Sequence, residues 1–140
     1  CDRRQRQMCI RDRGGTEYDS IAYAAKVCGL DDGGFVVSGG YQEGVYVAPT
    51  GDFAQLDTAG TVHGQMDTFI AKYDSNSKLI WMSNFSGSAN DQVKQIKATD
   101  DGGIAVLIET NSNDGDMENQ NRGLYDLVIV KYDAHGKKVW

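Results

Sequence analysis

A dense cluster of carboxylate and carboxamide side chains lies in the second half of the chain, where the sequence reads TNSNDGDMENQN. Its first members are Asn111, Asn113, Asp114 and Asp116. Their side-chain oxygens are the ligand type of calcium, which takes roughly six to eight of them. The spacing is not that of an EF-hand loop, because Gly115 precedes Asp116 where that loop needs the reverse order. The cluster is therefore either a calcium site or an Asx-rich turn whose side chains bond their own backbone.

A second stretch, from about Ser38 to Gln65, mixes aromatic rings with amide and carboxylate groups. Its candidate ligand-binding residues are Tyr41, Tyr46, Phe53 and Asp57. Rings stack on the C–H faces of sugars while the polar groups bond their hydroxyls, so this mixture is suited to a glycan. Alternatively, one or two of the rings only pack a long loop against the protein.

Motifs of common catalytic sites are absent from the sequence. It contains no G-x-S-x-G, P-loop or G-x-G-x-x-G segment, and His63 and His135 lack metal-ligand spacing. Since no nucleophile, base and orienting group are assembled, we expect no catalytic activity. The three cysteines have no C-x-x-C spacing, which disfavours a disulfide framework or a zinc site.

Composition limits the partners. The chain has 140 residues and a formal net charge of −6, and an acidic surface disfavours nucleic acid, whose binding depends on lysine and arginine. No apolar run approaches the ~18 residues needed to cross a bilayer, so no membrane span is expected.

The candidate residues must be positioned by an internal repeat. Asp67–Trp81 reads DTFIAKYDSNSKLIW and Asp126–Trp140 reads DLVIVKYDAHGKKVW, with seven of fifteen positions identical. Each copy predicts a strand, a tight turn and a second strand. Asp74 and Asp133 end the first strand, where a carboxylate can accept N–H groups of the turn. The apolar run Leu127–Val130 predicts a strand that is buried on both faces, between stacked sheets.

A second pair of matched segments lies upstream of each copy. Gly14–Asp19 (GGTEYD) matches Ser86–Asp91 (SGSAND), and each is followed by a predicted strand, Ile21–Val27 or Val93–Ala98. Each then reaches an Asp-Asp-Gly-Gly segment, which predicts a hairpin turn because both residues of an Asp-Gly pair can take positive φ. The glycines concerned are Gly33, Gly34, Gly102 and Gly103. Each repeat is therefore predicted to have four strands, which makes the chain all-β with about two four-stranded antiparallel units.

Four motifs and a closing tryptophan occur in a fixed order: G-[GS]-x-x-x-D, D-G-G, T-N-S-N-D-G-D and D-x-x-I-x-K-Y-D. Together they resemble a bacterial β-propeller repeat family of secreted and cell-surface proteins. The resemblance covers residues 14–140. The ending Gly136-Lys137-x-x-Trp140 is also similar to the tryptophan-docking repeat of quinoprotein-type propellers. This second resemblance implies that Trp81 and Trp140 pack between neighbouring blades and carry no chemistry.

The resemblance implies a domain organisation. Residues 14–85 are one blade-like repeat and residues 86–140 a second, truncated one. Because a propeller needs ~4 to 8 blades to close, we interpret the chain as a fragment whose partners include further blades. Residues 1–13 (CDRRQRQMCIRDR) resemble a translated sequencing adapter from assembled metagenomic DNA, and we expect them to be non-native. A basic arm and a cysteine-anchored lipoprotein start are the other interpretations.

The expected function is that of a non-catalytic binding or scaffold module, secreted or at the cell surface. Its ligand would be a glycan or a surface protein, held by the connections between strands two and three of each repeat. One alternative is a calcium-stabilised structural spacer. Another is part of a polysaccharide-acting propeller enzyme whose catalytic residues lie outside this sequence.

Overall fold

The computed structural model describes residues 25–41 and 66–140, which form two antiparallel β-sheets. The strands are β1 (Lys26–Gly29), β2 (Phe35–Tyr41), β3 (Asp67–Tyr73), β4 (Leu79–Phe85), β5 (Asp91–Ala98), β6 (Ile104–Thr110) and β7 (Asp126–Tyr132), with a short 3-10 helix at Gly115–Met117. The order is β1-β2-β3-β4 in the first sheet and β5-β6-β7 in the second. The all-β prediction is confirmed. Within the two described ranges, no helix is long and apolar enough to cross a membrane.

Several predictions concern residues outside these ranges. They are the nature of residues 1–13, most of the strand predicted over Ile21–Val27, and the candidate residues Tyr46, Phe53 and Asp57.

The two repeats pair their strands in the same register. Four cross-strand pairs mark the ends of the matching ladders: Phe35 with Tyr73, Tyr41 with Asp67, Ile104 with Tyr132, and Thr110 with Asp126. Every residue of β3 therefore has a counterpart 59 positions later in β7, the offset of the sequence repeat. The sequence repeat is thus a structural repeat.

The predicted fourth strand of the second repeat is only partly formed. Residues 137–140 contact β7 through an isolated bridge between Tyr132 and Lys138. The backbone of Lys131 adds two hydrogen bonds of 2.7 Å, to Trp140 O and from Val139 N. The second sheet consequently has three strands where the sequence predicted four.

The two Asp-Asp-Gly-Gly segments form the turns between β1 and β2 and between β5 and β6. Gly33 has φ +80° and Gly102 has φ +77°, whereas Asp32 and Asp101 are not among the described residues with positive φ. Both segments form the predicted hairpin turns, and in each Asp-Gly pair only the glycine takes positive φ. The turn has three residues, and only its last residue needs the left-handed conformation.

The second glycine of each segment is required by close packing. A Cβ on Gly34 would lie 2.5 Å from the carbonyl oxygen of Tyr73, and one on Gly103 would overlap Tyr132 O. Each turn is further closed by its aspartate, since Asp32 Oδ1 accepts the Gly34 N–H at 2.8 Å. Neither glycine can therefore carry a side chain without moving β3 or β7.

The turns after β3 and β7 are also alike. Asp74 Oδ1 accepts the N–H groups of Asn76 and Lys78, both at 2.8 Å. Asp133 Oδ1 likewise accepts N–H groups from Lys137 at 2.9 Å and His135 at 2.8 Å. The Lys137 and His135 N–H groups hold the pKa of the Asp133 carboxyl below its usual range. Each aspartate therefore closes its own turn.

The last turn residue differs between the repeats. Gly136 has φ +82°, and Ser77 occupies the corresponding position with φ +62°. A side chain in the left-handed region crowds its own backbone, which glycine avoids. Ser77 therefore holds a conformation that its residue type disfavours.

We expect Ser77→Gly to stabilise the protein by roughly 0.5 to 1 kcal/mol, because it relieves this crowding. Urea unfolding followed by circular dichroism measures the change. Ser75→Gly, in the same turn but without positive φ, is the matched control and should not stabilise the protein. An unchanged or lower midpoint for Ser77→Gly would contradict this account of the turn.

The sheets stack face to face around one apolar core. The first sheet contributes Val36, Ile70, Trp81 and Phe85; the second sheet contributes Val93, Ile96, Ile104, Val106, Ile108, Val130 and Tyr132. By strand register, Ile70 of the first sheet corresponds to Ile129 of the second sheet. Ile70 lies in the core between the sheets, whereas Ile129 lies on the face of the second sheet that points away from this core. The two sheets therefore pack through non-equivalent faces, in a head-to-tail manner.

This stacking corrects the prediction that the run Leu127–Val130 is buried on both faces. Val130 lies in the core, whereas Leu127 is 65% exposed and Ile129 is 57% exposed. All seven residues of β3 are buried. The face of the second sheet that carries Leu127 and Ile129 is therefore open to solvent.

Trp81 is buried between the two sheets. Its Nε1 donates to the carbonyl oxygen of Ala134 at 3.0 Å, and its ring stacks on Tyr132 with centroids 6.3 Å apart. A Cβ on Gly136 would lie only 2.6 Å from Trp81 Cδ2, so the indole packs directly against the Gly136 backbone. Trp140, the corresponding residue of the second repeat, is 68% exposed.

Gly136→Ala should lower the free energy of unfolding by about 2 to 3 kcal/mol. The new methyl group would meet the Trp81 ring at a residue that also needs positive φ. Urea unfolding gives the loss, and near-ultraviolet circular dichroism reports the displaced tryptophan. Gly123→Ala is the matched control, because a Cβ there has no neighbour within 4 Å in the described part of the chain. Equal stability of the two variants would show that the contact is not tight.

Candidate functional site

The long connections of both repeats emerge at one end of the stacked sheets. Tyr41 and Asp67 pair at this end of the first sheet, and Thr110 and Asp126 pair at this end of the second. Met66 also forms a parallel bridge with Asn90 here, where the chain enters β5. We call this the loop end. The opposite end carries the Asp-Asp-Gly-Gly turns.

At the loop end, residues 86–90, which we call the segment between the repeats, pack against residues 111–116, which we call the acidic cluster. Four hydrogen bonds join backbone N–H groups of residues 86–90 to side chains of residues 111–116: Ser86 N to Asp116 Oδ2 (2.9 Å), Ser88 N to Asp114 Oδ1 (2.7 Å), Ala89 N to Ser112 Oγ (3.1 Å) and Asn90 N to Asn111 Oδ1 (2.7 Å). The cluster thus satisfies most of the backbone donors of a segment that lies outside the seven strands.

The four calcium candidates therefore have structural contacts. Asn111, Asp114 and Asp116 accept N–H groups of the facing segment, and Asn113 Oδ1 accepts the Asn121 N–H at 3.2 Å. The alternative of a turn that bonds its own backbone describes Asn113 and also Asn121, whose Oδ1 accepts the Gly123 N–H at 2.9 Å. In the described ranges, no group of three or more His, Cys, Asp or Glu residues is arranged to hold a metal ion.

Asp116 also links the loop end to the last residues of the chain. Its Oδ1 forms a salt bridge with Lys138 Nζ, and that ammonium lies 5.8 Å from the centre of the Phe85 ring. The acidic cluster is thereby held on two sides, by the segment between the repeats and by Lys138.

A buried carboxyl group, that of Asp91, is connected to these contacts through Ser112. Asp91 is fully buried, and its Oδ2 accepts the Ser112 hydroxyl at 3.2 Å, whereas its Oδ1 has no hydrogen-bond partner among the described residues. The Asp91 carbonyl accepts the Thr68 hydroxyl at 2.8 Å, which ties the second sheet to the first. Asp67, also buried, accepts the Gly87 N–H at 3.4 Å.

Burial raises the pKa of Asp91 to about 6, against the opposing effect of hydroxyl donors from Thr110 and Ser112. The charges of Asp67 and Asp116 raise it further. A carboxylate with few hydrogen-bond donors is disfavoured in a buried site, so the fold shifts Asp91 towards its protonated form.

The Asp-Asp-Gly-Gly end contains a separate ion pair. Lys131 Nζ donates to Asp101 Oδ1 at 2.7 Å and to Thr99 Oγ1 at 2.5 Å. Hydrogen bonds from Lys131 and Thr99 hold the pKa of the Asp101 carboxyl well below its usual range. This pair fixes the turn between β5 and β6 on β7, which is a structural role.

An open cleft of about 380 Å³ lies at the loop end. It is lined by Met66, Asn90, Gln92, Glu109 and Tyr125, which we call the cleft residues. Gln92 and Glu109 are cross-strand partners on β5 and β6. Lys94 Nζ bridges them, at 2.6 Å from Gln92 Oε1 and 2.8 Å from Glu109 Oε1. Tyr125 immediately precedes β7 and is 58% exposed.

Of the sequence-predicted ligand-binding residues, only Tyr41 lies in the described ranges. It is buried at the loop end of β2, and its hydroxyl accepts from Asn84 Nδ2 at 3.5 Å. Its ring is therefore packed inside the protein and does not form an open platform. Tyr41 belongs to a second apolar cluster with Phe69, Ala71 and Tyr73.

The cleft residues and Asp91 are not among the site residues that the sequence predicts. Asp91 had a signal, because it ends the segment SGSAND that matches GGTEYD. The cleft residues had none, since they come from four separate parts of the chain. Alternation within β5 and β6 shows which residues share a face but not which loop covers it.

Comparison with models of known protein families gives no match, and comparison with curated proteins gives none. Function is therefore inferred from the residues and geometry of this chain.

Because its folded pKa is raised, Asp91 should contribute stability at low pH that is lost as pH rises from about 4 to 6. Asp91→Asn removes this titration. We expect the stability of the variant relative to wild type to rise by roughly 1 to 3 kcal/mol between pH 4 and pH 7. Urea unfolding across this range measures the difference.

Asp100→Asn is the matched control for this titration, because Asp100 is exposed in the turn between β5 and β6. Its stability difference from wild type should stay nearly constant. A flat difference for Asp91→Asn as well would show that Asp91 is ionised in the fold at low pH.

Proposed function

We propose that the chain is a non-catalytic binding or scaffold module from an extracellular bacterial β-propeller. Its ligand is a glycan or a surface protein, bound at the loop end. The observation that carries the proposal is the head-to-tail stacking of two structurally equivalent repeats, which directs the long connections of both to one end of the sheets.

The exposed face of the second sheet supports the propeller architecture. Ala105, Leu107, Leu127 and Ile129 lie on this face, and Leu127 and Ile129 are exposed. The corresponding face of the first sheet, which includes Val36 and Ile70, is covered by the second sheet. A third repeat stacked in the same sense would cover the exposed residues in the same way. Trp140 would then take the position that Trp81 occupies between sheets one and two.

The construction of the loop end supports a binding role. The segment between the repeats is fixed by side chains of the second connection, so the surface has a defined shape. Preorganised loops on a rigid β-scaffold are a common location of binding sites. The strand pairing of both sheets supplies that scaffold.

The proposal is tested by applying the full chain to an array of glycans and bacterial surface proteins. We expect binding that is lost in Tyr46→Ala, because that ring would be part of the recognition surface, and weakened in Asp57→Asn. Asp100→Asn makes the same chemical change at the opposite end of the sheets and should bind like wild type. Absence of binding to every glycan and protein would contradict the proposal.

The same protein distinguishes the calcium-stabilised spacer. If EGTA lowers the melting temperature and added calcium restores it, the acidic cluster holds calcium and the spacer becomes the better description. If the melting temperature is unchanged by EGTA, the hydrogen bonds to residues 86–90 are sufficient to hold the loop end.

A further inference from the structure

We propose that a cavity at the opposite end of the sheets binds a small zwitterion of the amino-acid class, a molecule that carries one carboxylate and one ammonium group. This end carries the two Asp-Asp-Gly-Gly turns, and we call it the turn end. The site is independent of the proposed function, because it lies away from the long connections of the two repeats.

The cavity lies between the two sheets and has a volume of about 400 Å³. The turn between β1 and β2 and Lys72 of β3 line one side, and the turn between β5 and β6 lines the other side together with Ala98. Ala98 shares the inner face of β5 with Ile96, which lies in the core. A further repeat stacked on the exposed face of the second sheet would therefore leave this cavity open.

Lys72 supplies a buried positive charge. Its cross-strand neighbours Val36 and Trp81 lie in the core, so the Lys72 side chain is on the face of β3 that points towards the second sheet. Lys72 is only 8% exposed, and its ammonium has no hydrogen bond or ion pair among the described residues. A buried ammonium without an acceptor is unfavourable. The cavity therefore offers a donor that an anionic group of a ligand can use.

The second repeat shows which partners Lys72 lacks. Lys131, at the corresponding position of β7, donates to Asp101 Oδ1 and Thr99 Oγ1 in the turn of its own repeat. Leu30 occupies the position of Thr99 in the first turn. Because leucine has no hydroxyl, the first turn lacks one of the two side-chain acceptors that hold the Lys131 ammonium.

The mouth of the cavity is negatively charged. Asp31, Asp32 and Asp100 line it, and all three are exposed. Asp32 Oδ1 accepts the Gly34 N–H at 2.8 Å, whereas Asp31 has no hydrogen bond or ion pair among the described residues. We assign Asp31 as the partner of the ligand's ammonium group. Asp100 adds negative charge from the facing turn.

This arrangement of charges favours a zwitterion over a singly charged ligand. An anion alone would bind Lys72 beside three carboxylates, and a cation alone would bind the carboxylates beside the buried Lys72 ammonium. Each would meet like charge. A zwitterion places its carboxylate on Lys72 and its ammonium on Asp31. The cavity volume lies at the small end of the range for ligand sites, which fits a small molecule.

Titration of the full chain followed by amide-proton NMR tests the site. The probes are glycine, β-alanine and γ-aminobutyrate, which differ in the separation of their charges. Each is compared with the carboxylate and the amine of the same carbon chain. We expect at least one zwitterion to shift the amide signals of Gly102 and Gly103, which line the cavity, with an affinity about tenfold above that of its singly charged analogues, because two charge pairs form.

Lys72→Met removes the buried charge and should lower the affinity for this zwitterion about tenfold. In urea unfolding without ligand, the variant should be at least as stable as wild type, because the ammonium has no partner in the fold. Asp31→Asn should weaken binding of the zwitterion but not of the matched carboxylate. Lys97→Met is the matched control, because Lys97 is exposed on β5 and does not line the cavity. It should bind like wild type.

Equal affinities of wild type and Lys72→Met for the zwitterion would overturn the inference. So would a carboxylate that binds as tightly as the zwitterion of the same chain length. A loss of stability in Lys72→Met without ligand would show that Lys72 is a structural residue and would also overturn it. Binding on the array that depends on Tyr46 reports on the loop end and should be unchanged in Lys72→Met, so each proposal can fail without the other.

Discussion

The contact between the Trp81 indole and Gly136 sets the distance and orientation of the two sheets. The ring lies so close to the glycine backbone that no side chain fits between them, and its Nε1 bonds the Ala134 carbonyl in the same turn. A large ring buried against backbone combines apolar burial with a directional hydrogen bond. The apolar core around Ile70, Val106 and Tyr132 adds buried area to this contact, but apolar burial is non-directional. The hydrogen bond and the glycine define one position.

At the other end of the interface, polar contacts fix the same arrangement. The Thr68 hydroxyl bonds the Asp91 backbone, and the Asp91 N–H bonds Met66 O at 2.7 Å. A fully buried carboxylate at this point is costly unless it is protonated or given donors. Its raised pKa shows that the available hydroxyls do not fully compensate. The destabilising Asp91 carboxyl thus lies at the junction of the two repeats, beside the surface that we propose binds ligand.

The binding surface follows from these two constraints. Because the repeats are equivalent in register, their connections leave the sheets at the same end. The repeats also stack head to tail. Residues 86–90, which join β4 to β5, must therefore cross from the first sheet to the second at that same end. Carboxylate and carboxamide groups of residues 111–116 compensate its unpaired N–H groups. The acidic cluster is therefore explained by the backbone that it stabilises, and the cleft opens beside it.

The sequence by itself determined the strands, the turns and their repetition, because these depend on neighbours within a few residues: alternation, Asp-Gly chemistry and the segment K-Y-D that ends β3 and β7. It also pointed to Asp74 and Asp133 as turn residues and to a tryptophan at each repeat end. It failed where the partner was distant in sequence. The burial of Tyr41, the exposure of Ile129, the donors bonded by Asp114 and Asp116, and the assembly of the cleft around Tyr125 depend on which face of one sheet meets the other. Only the tertiary structure decides this, because strand alternation is the same whether a face is covered or open.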